Sequence, residues 1–311
     1  MQRIKPKNSR LSSAIAFGTD ILSGILTSIV WLILAQHAYA RPEKVPRDVL
    51  KLRADGYVYA DYPGVFDDAE GEGITIEAWI YLTEPPQDGD YHDSERRWII
   101  FAKPFSYFAT IAGRYLGSDL DRRDPEGTLY IRFGVQQRRR AGGLSTASSG
   151  WSILPHEFEL KRWVHVAYQI AVKENHTDTI SYYDGDRGGH GFGSAMRRTD
   201  APLLIGGTKR IGRFWGTEYG SMKGYIDDVR VSKGFRYSRE PGNRIRPKRR
   251  LQADERTIAL WRLEEGPGAT RYGDSSGNGY TLRAGGSLAV EAGGKLATSW
   301  GSLKRRALEG K

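Results

Sequence analysis

The chain has 311 residues, 39% of them hydrophobic, and a formal net charge of +10. That apolar share excludes a disordered chain and suffices for a core. The absence of cysteine excludes thiol-linked lipid anchoring, iron–sulfur clusters, thiolate zinc sites and cysteine nucleophiles.

The first 40 residues read as an export signal. Arg3, Lys5, Lys7 and Arg10 give a positive start, an apolar run follows from Ile21 to Ala35, and Ala38-Tyr39-Ala40 forms an A-x-A cleavage site before Arg41. An uncleaved anchor is the alternative, but fifteen residues fall short of the roughly 20 needed to span a bilayer. Cleavage removes four basic residues and one acidic residue, which leaves a mature charge of +7. No later stretch has the length and apolarity of a membrane span.

Beyond residue 40 hydrophobicity alternates with period two. Ile74, Ile76, Ala78, Ile80 and Leu82 share one face of a strand, while Thr75, Glu77, Trp79 and Tyr81 take the other. Leu129–Val135 and Val164–Val172 alternate in the same way. Shorter strands are expected at Tyr57–Ala60, Trp98–Ala102, Tyr107–Ala112, Thr179–Asp184, Leu203–Gly206, Gly224–Val231, Thr257–Leu263 and Tyr280–Arg283. Asp184-Gly185 and Asn278-Gly279 are turn signals. About eleven short strands with glycine-rich turns and no long amphipathic helix predict an all-β fold, a two-sheet antiparallel jelly roll. It is expected over residues 41–285, with 286–311 as a poorly ordered tail. Long loops are expected at 84–97, 136–160 and 185–201, and Arg236–Leu251 reads as a basic crossover laid over the surface.

Several segments resemble the laminin-G-like jelly roll domains of the concanavalin A-like lectin/glucanase superfamily. They are Gly73–Tyr81 (GITIEAWIY), Arg162–Ala167 (RWVHVA), Tyr182–Gly185 (YYDG), Leu204–Gly207 (LIGG) and Gly224–Ser232 (GYIDDVRVS). Ala259–Gly266 (ALWRLEEG) and Asp274–Gly279 (DSSGNG) also match, but such motifs usually open a domain of this family and here they close it. The resemblance therefore implies either a permuted single domain or one domain followed by part of another. It implies a concanavalin A-like sandwich, and a function among lectins, adhesion modules and hydrolases.

A hydrolase of this superfamily would place acids on alternate positions of one strand, as E-x-D-x-x-E or E-x-D-x-E. No such run occurs, and Asp227-Asp228 and Glu264-Glu265 are adjacent pairs expected to face opposite ways. Asp227 is in phase with Tyr225, Val229 and Val231, so its carboxylate is expected on the apolar side. There it either bonds a neighbouring loop or binds calcium. Asp274 and Asn278 form a second oxygen-rich loop, either a tight turn or calcium ligands. Asp119–Glu126 lacks the glycine and glutamate of an EF-hand, the six histidines form no zinc motif, and Gly207–Gly212 lacks a P-loop lysine.

Trp215 and Tyr219, in a glycine-rich loop, are candidate platforms for sugar rings; Trp79, Trp163 and Trp261 are expected in the core. Arg210, Arg213 and Arg139 would favour anionic sugars. Basic runs at Arg138–Arg140, Arg244–Arg250 and Lys304–Arg306 are either solvated loops or attract an anionic polymer, but no nucleic-acid motif accompanies them. The expectation is an exported module that binds a polysaccharide or glycoprotein glycan, with calcium as a candidate cofactor. The alternatives are an adhesive surface protein that binds another protein, and a glycoside hydrolase.

Overall fold

A computed structural model describes residues 49–288 except 53–54, 68–71, 87–88, 91–96, 114, 117–128, 139–143, 148–150, 154–159, 174–175, 195, 209–219, 241 and 243. The expected export signal at 1–40 and most of the expected tail at 286–311 lie outside these residues.

Two large sheets make up the sandwich, and nearly all of their pairings are antiparallel. One runs in the order Leu50–Leu52, Gly224–Lys233, Ile74–Leu82, Trp163–Lys173, His176–Tyr183 and Asp186–Ser194. Thr257–Trp261 also pairs with Gly224–Lys233, through Val229–Ser232. The other runs Trp151–Ile153, Tyr130–Arg138, Tyr107–Ala112, Arg97–Lys103, Leu203–Ile205, Tyr57–Ala60, Leu282–Gly285 and Arg271–Tyr272. Leu144–Ala147 joins Tyr130–Arg138, and Gly220–Ser221 lies parallel to Trp98–Ile99. Among the described residues no helix is long and apolar enough to cross a membrane.

The core forms between the sheets, where period two places it. Ile74, Ile76, Ala78, Ile80 and Leu82 meet Val164, Val166, Tyr168 and Ile170 there, with Ile111, Ile131, Phe133 and Val135 from the opposite sheet. The two late motifs belong to the same sandwich. Trp261 is fully buried in this core, 5.7 Å from the Phe66 ring, and Leu282–Gly285 pairs with Tyr57–Ala60. The strands after residue 256 thus complete sheets begun near residue 50.

All eleven expected strands are present, but three expected loops carry strands of their own. Residues 84–97 include Gly89–Asp90, which pairs with Tyr115–Leu116. Residues 136–160 hold Leu144–Ala147 and Trp151–Ile153, and residues 185–201 hold Asp186–Ser194. The last of these is a hairpin arm. Asp184 and Gly185 have φ of 46° and 90°, the positive angles a two-residue hairpin turn needs. Backbone pairing with His176–Tyr183 then holds a sequence that has almost no apolar pattern.

A strap from Gly234 to Gln252 covers the outer face of the seven-stranded sheet. Phe235, Tyr237 and Ile245 pack on Ala167, Ile180 and Tyr182. Trp79 and Trp163 are buried, as expected, but under this strap rather than between the sheets. The Arg249 guanidinium lies 5.2 Å and 4.5 Å from their ring centres, and Trp79 Nε1 donates to the Lys248 carbonyl at 3.1 Å.

Candidate functional site

Beneath the strap, Glu77 is fully buried and both its oxygens are engaged. Arg230 donates to Oε1 through Nε and Nη2 at 2.8 and 2.7 Å. His165 Nε2 lies 2.9 Å from Oε2, which also accepts the Tyr237 hydroxyl. Burial alone would raise the Glu77 carboxyl, but His165, Arg230 and Tyr237 outweigh it and hold the group down at about 2. An ionised Glu77 makes His165 Nε2 the donor. A carboxylate so enclosed and so fully bonded cannot reach a glycosidic oxygen, so this cluster ties the strap to the sheet.

The three candidate calcium ligands hold three separate hydrogen-bonding positions. Asp227 Oδ1 accepts the Asp228 backbone N–H at 2.8 Å, and Oδ2 accepts Arg249 Nη1 at 3.1 Å. Burial and then the neighbouring Asp228 raise the Asp227 carboxyl, against the pull of Arg249. Its side chain does not point into the core, contrary to the phase of the sequence. A bulge between Asp227 and Arg230, with Asp228 at φ 45°, slips the alternation by one residue. Ile226, Val229 and Val231 therefore face the core while Asp227 and Asp228 both serve the strap side. Asp228 accepts the Leu251 N–H at 2.6 Å and Arg262 at 2.8 Å. Asp274 accepts three backbone N–H groups, from Leu260, Ser276 and Tyr280. Asn278 donates to the carbonyls of Thr257 and Ile258 at 3.0 and 2.9 Å. Among the described residues no group of three or more His, Asp or Glu side chains is arranged to hold a metal.

Trp215, Tyr219, Arg210, Arg213 and Arg139 lie outside the described residues. What the structure adds is a patch on the edge strand Asp186–Ser194. Phe192 is 69% exposed, and among the described residues Leu160 is the one other exposed large hydrophobic. His190 stands on the same face, its ring 4.3 Å from that of Phe192 and edge-on to it. Asp178, buried on the neighbouring strand, accepts His190 Nε2 at 2.7 Å and also contacts Arg239 of the strap. Burial and the nearby Arg187 lower the His190 imidazole. The Asp178 carboxylate can only accept, so Nε2 carries the proton and Nδ1 is the acceptor of the neutral ring. The glycines at 188, 189, 191 and 193 add no side chains of their own beside the two rings. An exposed ring, an imidazole acceptor and a half-exposed guanidinium, the last two in contact with one buried carboxylate, can stack on a sugar and bond its hydroxyls.

Sequence reasoning passes over this patch because the glycines read as a loop. The signal for it is His190 and Phe192 at alternate positions directly after the Asp-Gly turn.

The fold is that of a two-sheet lectin-like sandwich. A laminin-G-type family model, described as the Concanavalin A-like lectin/glucanases superfamily, matches residues 53–240, and the chain belongs to that family. No curated protein sequence matches significantly. The chain is similar in structure to a protein described as carbohydrate-binding from Bacteroides ovatus ATCC 8483, at 17% identity and a TM-score of 0.43. The match covers 76% of this chain and spans 59% of that protein. A heptameric SAP-like pentraxin from Limulus polyphemus matches at 14% identity and TM-score 0.36, over 78% of this chain and 97% of its own. Domain 4 of the extracellular arabinanase AbnA from Geobacillus stearothermophilus, in complex with arabinotriose, matches at 14% identity and TM-score 0.33. That match covers 57% of this chain and 75% of the arabinanase domain.

Proposed function

We propose that this chain is an exported glycan-binding module whose ligand stacks on Phe192 and bonds to His190 and Arg239. The observation that carries this reading is the exposed Phe192 ring beside side chains that buried Asp178 holds in place. Membership of a superfamily of lectins and glucanases supports it. In this reading Trp215 and Tyr219 add stacking surface and Arg210, Arg213 and Arg139 add charge toward an anionic sugar. Residues 1–40 direct export and are removed.

Binding is favoured over hydrolysis because Glu77 is sealed by four donor atoms and Asp227 and Asp228 are tied to Arg249 and Arg262. The same bonds favour a folding role over calcium at Asp227, and the bonds at Asp274 and Asn278 argue alike.

A broad glycan array tests the proposal, with wild type and Phe192→Ala side by side. Selective binding that free sugar competes away, and that F192A loses, is the expected result. Binding to no glycan, or binding that F192A retains, would refute it. Capture of a protein that free sugar does not displace would point to adhesion instead.

A further inference from the structure

The return leg of the strap, Arg244–Leu251, crosses over strands of the seven-stranded sheet. Ile245 N–H bonds to the Gly185 carbonyl at the edge hairpin. Arg249 sits over Trp163 and Trp79, and Leu251 N–H reaches Asp228 on Gly224–Lys233. The leg is therefore tied to the sheet at both ends.

An extended chain presents alternate side chains to one side, about 6.5 Å apart. Arg244, Arg246 and Lys248 are exposed at alternate positions around the partly covered Ile245 and Pro247, and the bend that follows exposes Arg249 and Arg250. Arg244, Arg249 and Arg250 have acidic neighbours, in Asp186, Asp227 and Glu264. The first and last of these pairs lie in water and hold little energy, so an incoming anion can replace the carboxylate. Arg246 and Lys248, in the middle, have no acidic partner among the described residues. Asp184, which precedes Gly185 in the hairpin turn, is paired with Arg162 at 2.6 Å.

We infer that this leg is a cationic ladder that binds a linear acidic polysaccharide, carboxylated or sulfated, laid along it across the sheet. The inference rests on the glycan-binding reading and assigns it a ligand class. Nucleic acid fits less well because bases need free ring faces, and along the strap the faces of Trp79 and Trp163 are occupied by Arg249. Because the anchoring falls to Ile245, Arg249 and Leu251, the exposed cations can be removed without loosening the leg.

The test measures binding of the mature chain to heparin, to polygalacturonate and to a 20-base-pair DNA as salt is raised. The variants are Arg246→Gln/Lys248→Gln and a control, Arg271→Gln, on the other sheet. The wild type is expected to bind at least one polysaccharide. The double variant should lose about tenfold in affinity and about 2 in the log–log salt slope, with R271Q unchanged. No binding to either polysaccharide at low salt, equal loss in R271Q, or tighter binding to the DNA would overturn the ladder. Neutral glycan binding that F192A abolishes and R246Q/K248Q leaves intact would overturn the ladder alone and leave the glycan-binding reading standing.

Discussion

Replacing Glu77 by Gln tests whether the buried polar cluster holds the strap in place. The substitution keeps shape and one acceptor oxygen but removes the negative charge. Arg230, with 9% of its side chain exposed, then lacks its anion, and the bond that Tyr237 donates weakens. Breaking a buried ion pair by removing one partner costs about 3–5 kcal/mol. The depressed Glu77 carboxyl gives an independent figure. The distance from an ordinary 4.5 to about 2 in the folded chain corresponds to about 3 kcal/mol. Because the folded value is the lower one, this stability is fully present above about pH 4.5 and is lost as pH falls toward 2. The assay is thermal unfolding of residues 41–311 from pH 7 to pH 2. At pH 7, E77Q is expected to melt roughly 6–20 °C below wild type, at about 2–4 °C per kcal/mol for a domain of this size. The gap should narrow as pH falls toward 2. An E77Q variant that melts within about 2 °C of wild type at pH 7, or a gap independent of pH, would refute the reasoning.

Three further outcomes follow from the same structure. Gly185→Ala would put a Cβ 2.3 Å from the Ile245 carbonyl oxygen at φ 90°, so a loss of at least about 1–3 kcal/mol is expected in urea unfolding; an unchanged midpoint would show that the hairpin turn does not seat the strap. Calcium and EDTA should leave the melting temperature unchanged, since the carboxylates of Asp227 and Asp274 accept protein donors. A clear rise with calcium would establish a bound ion. Mass spectrometry of the protein secreted from its own host should find Arg41 at the mature N-terminus; retention of residues 1–40 would mean an uncleaved anchor.

The strands were largely legible because most of them show the alternation of a face packed on a core. The strand Asp186–Ser194 was not, since its four glycines carry no apolar signal and its pairing is imposed by the turn before it. The Glu77, His165 and Arg230 cluster was hidden for a different reason. On period two alone, Thr75, Glu77, Trp79 and Tyr81 look like the solvent face of an outer sheet. They are buried because residues 234–252, far along the chain, return to cover them. The side of Asp227 was misread because a bulge beside it breaks the phase, and a left-handed Asp228 leaves no mark in the sequence. The basic crossover, by contrast, could be placed from its two prolines and its charge. Phe192 and His190 became a site through Asp178 and Arg239, which come from a different strand and from the strap.

The central claim is that a glycan docks on the edge strand at Phe192. Amide chemical-shift mapping of the mature chain, titrated with the glycan that an array selects, tests it most directly. The account predicts the largest shifts at Gly189 through Phe192 and at Arg239. Shifts confined to the 209–219 segment around Trp215 and Tyr219, with the edge strand silent, would contradict it.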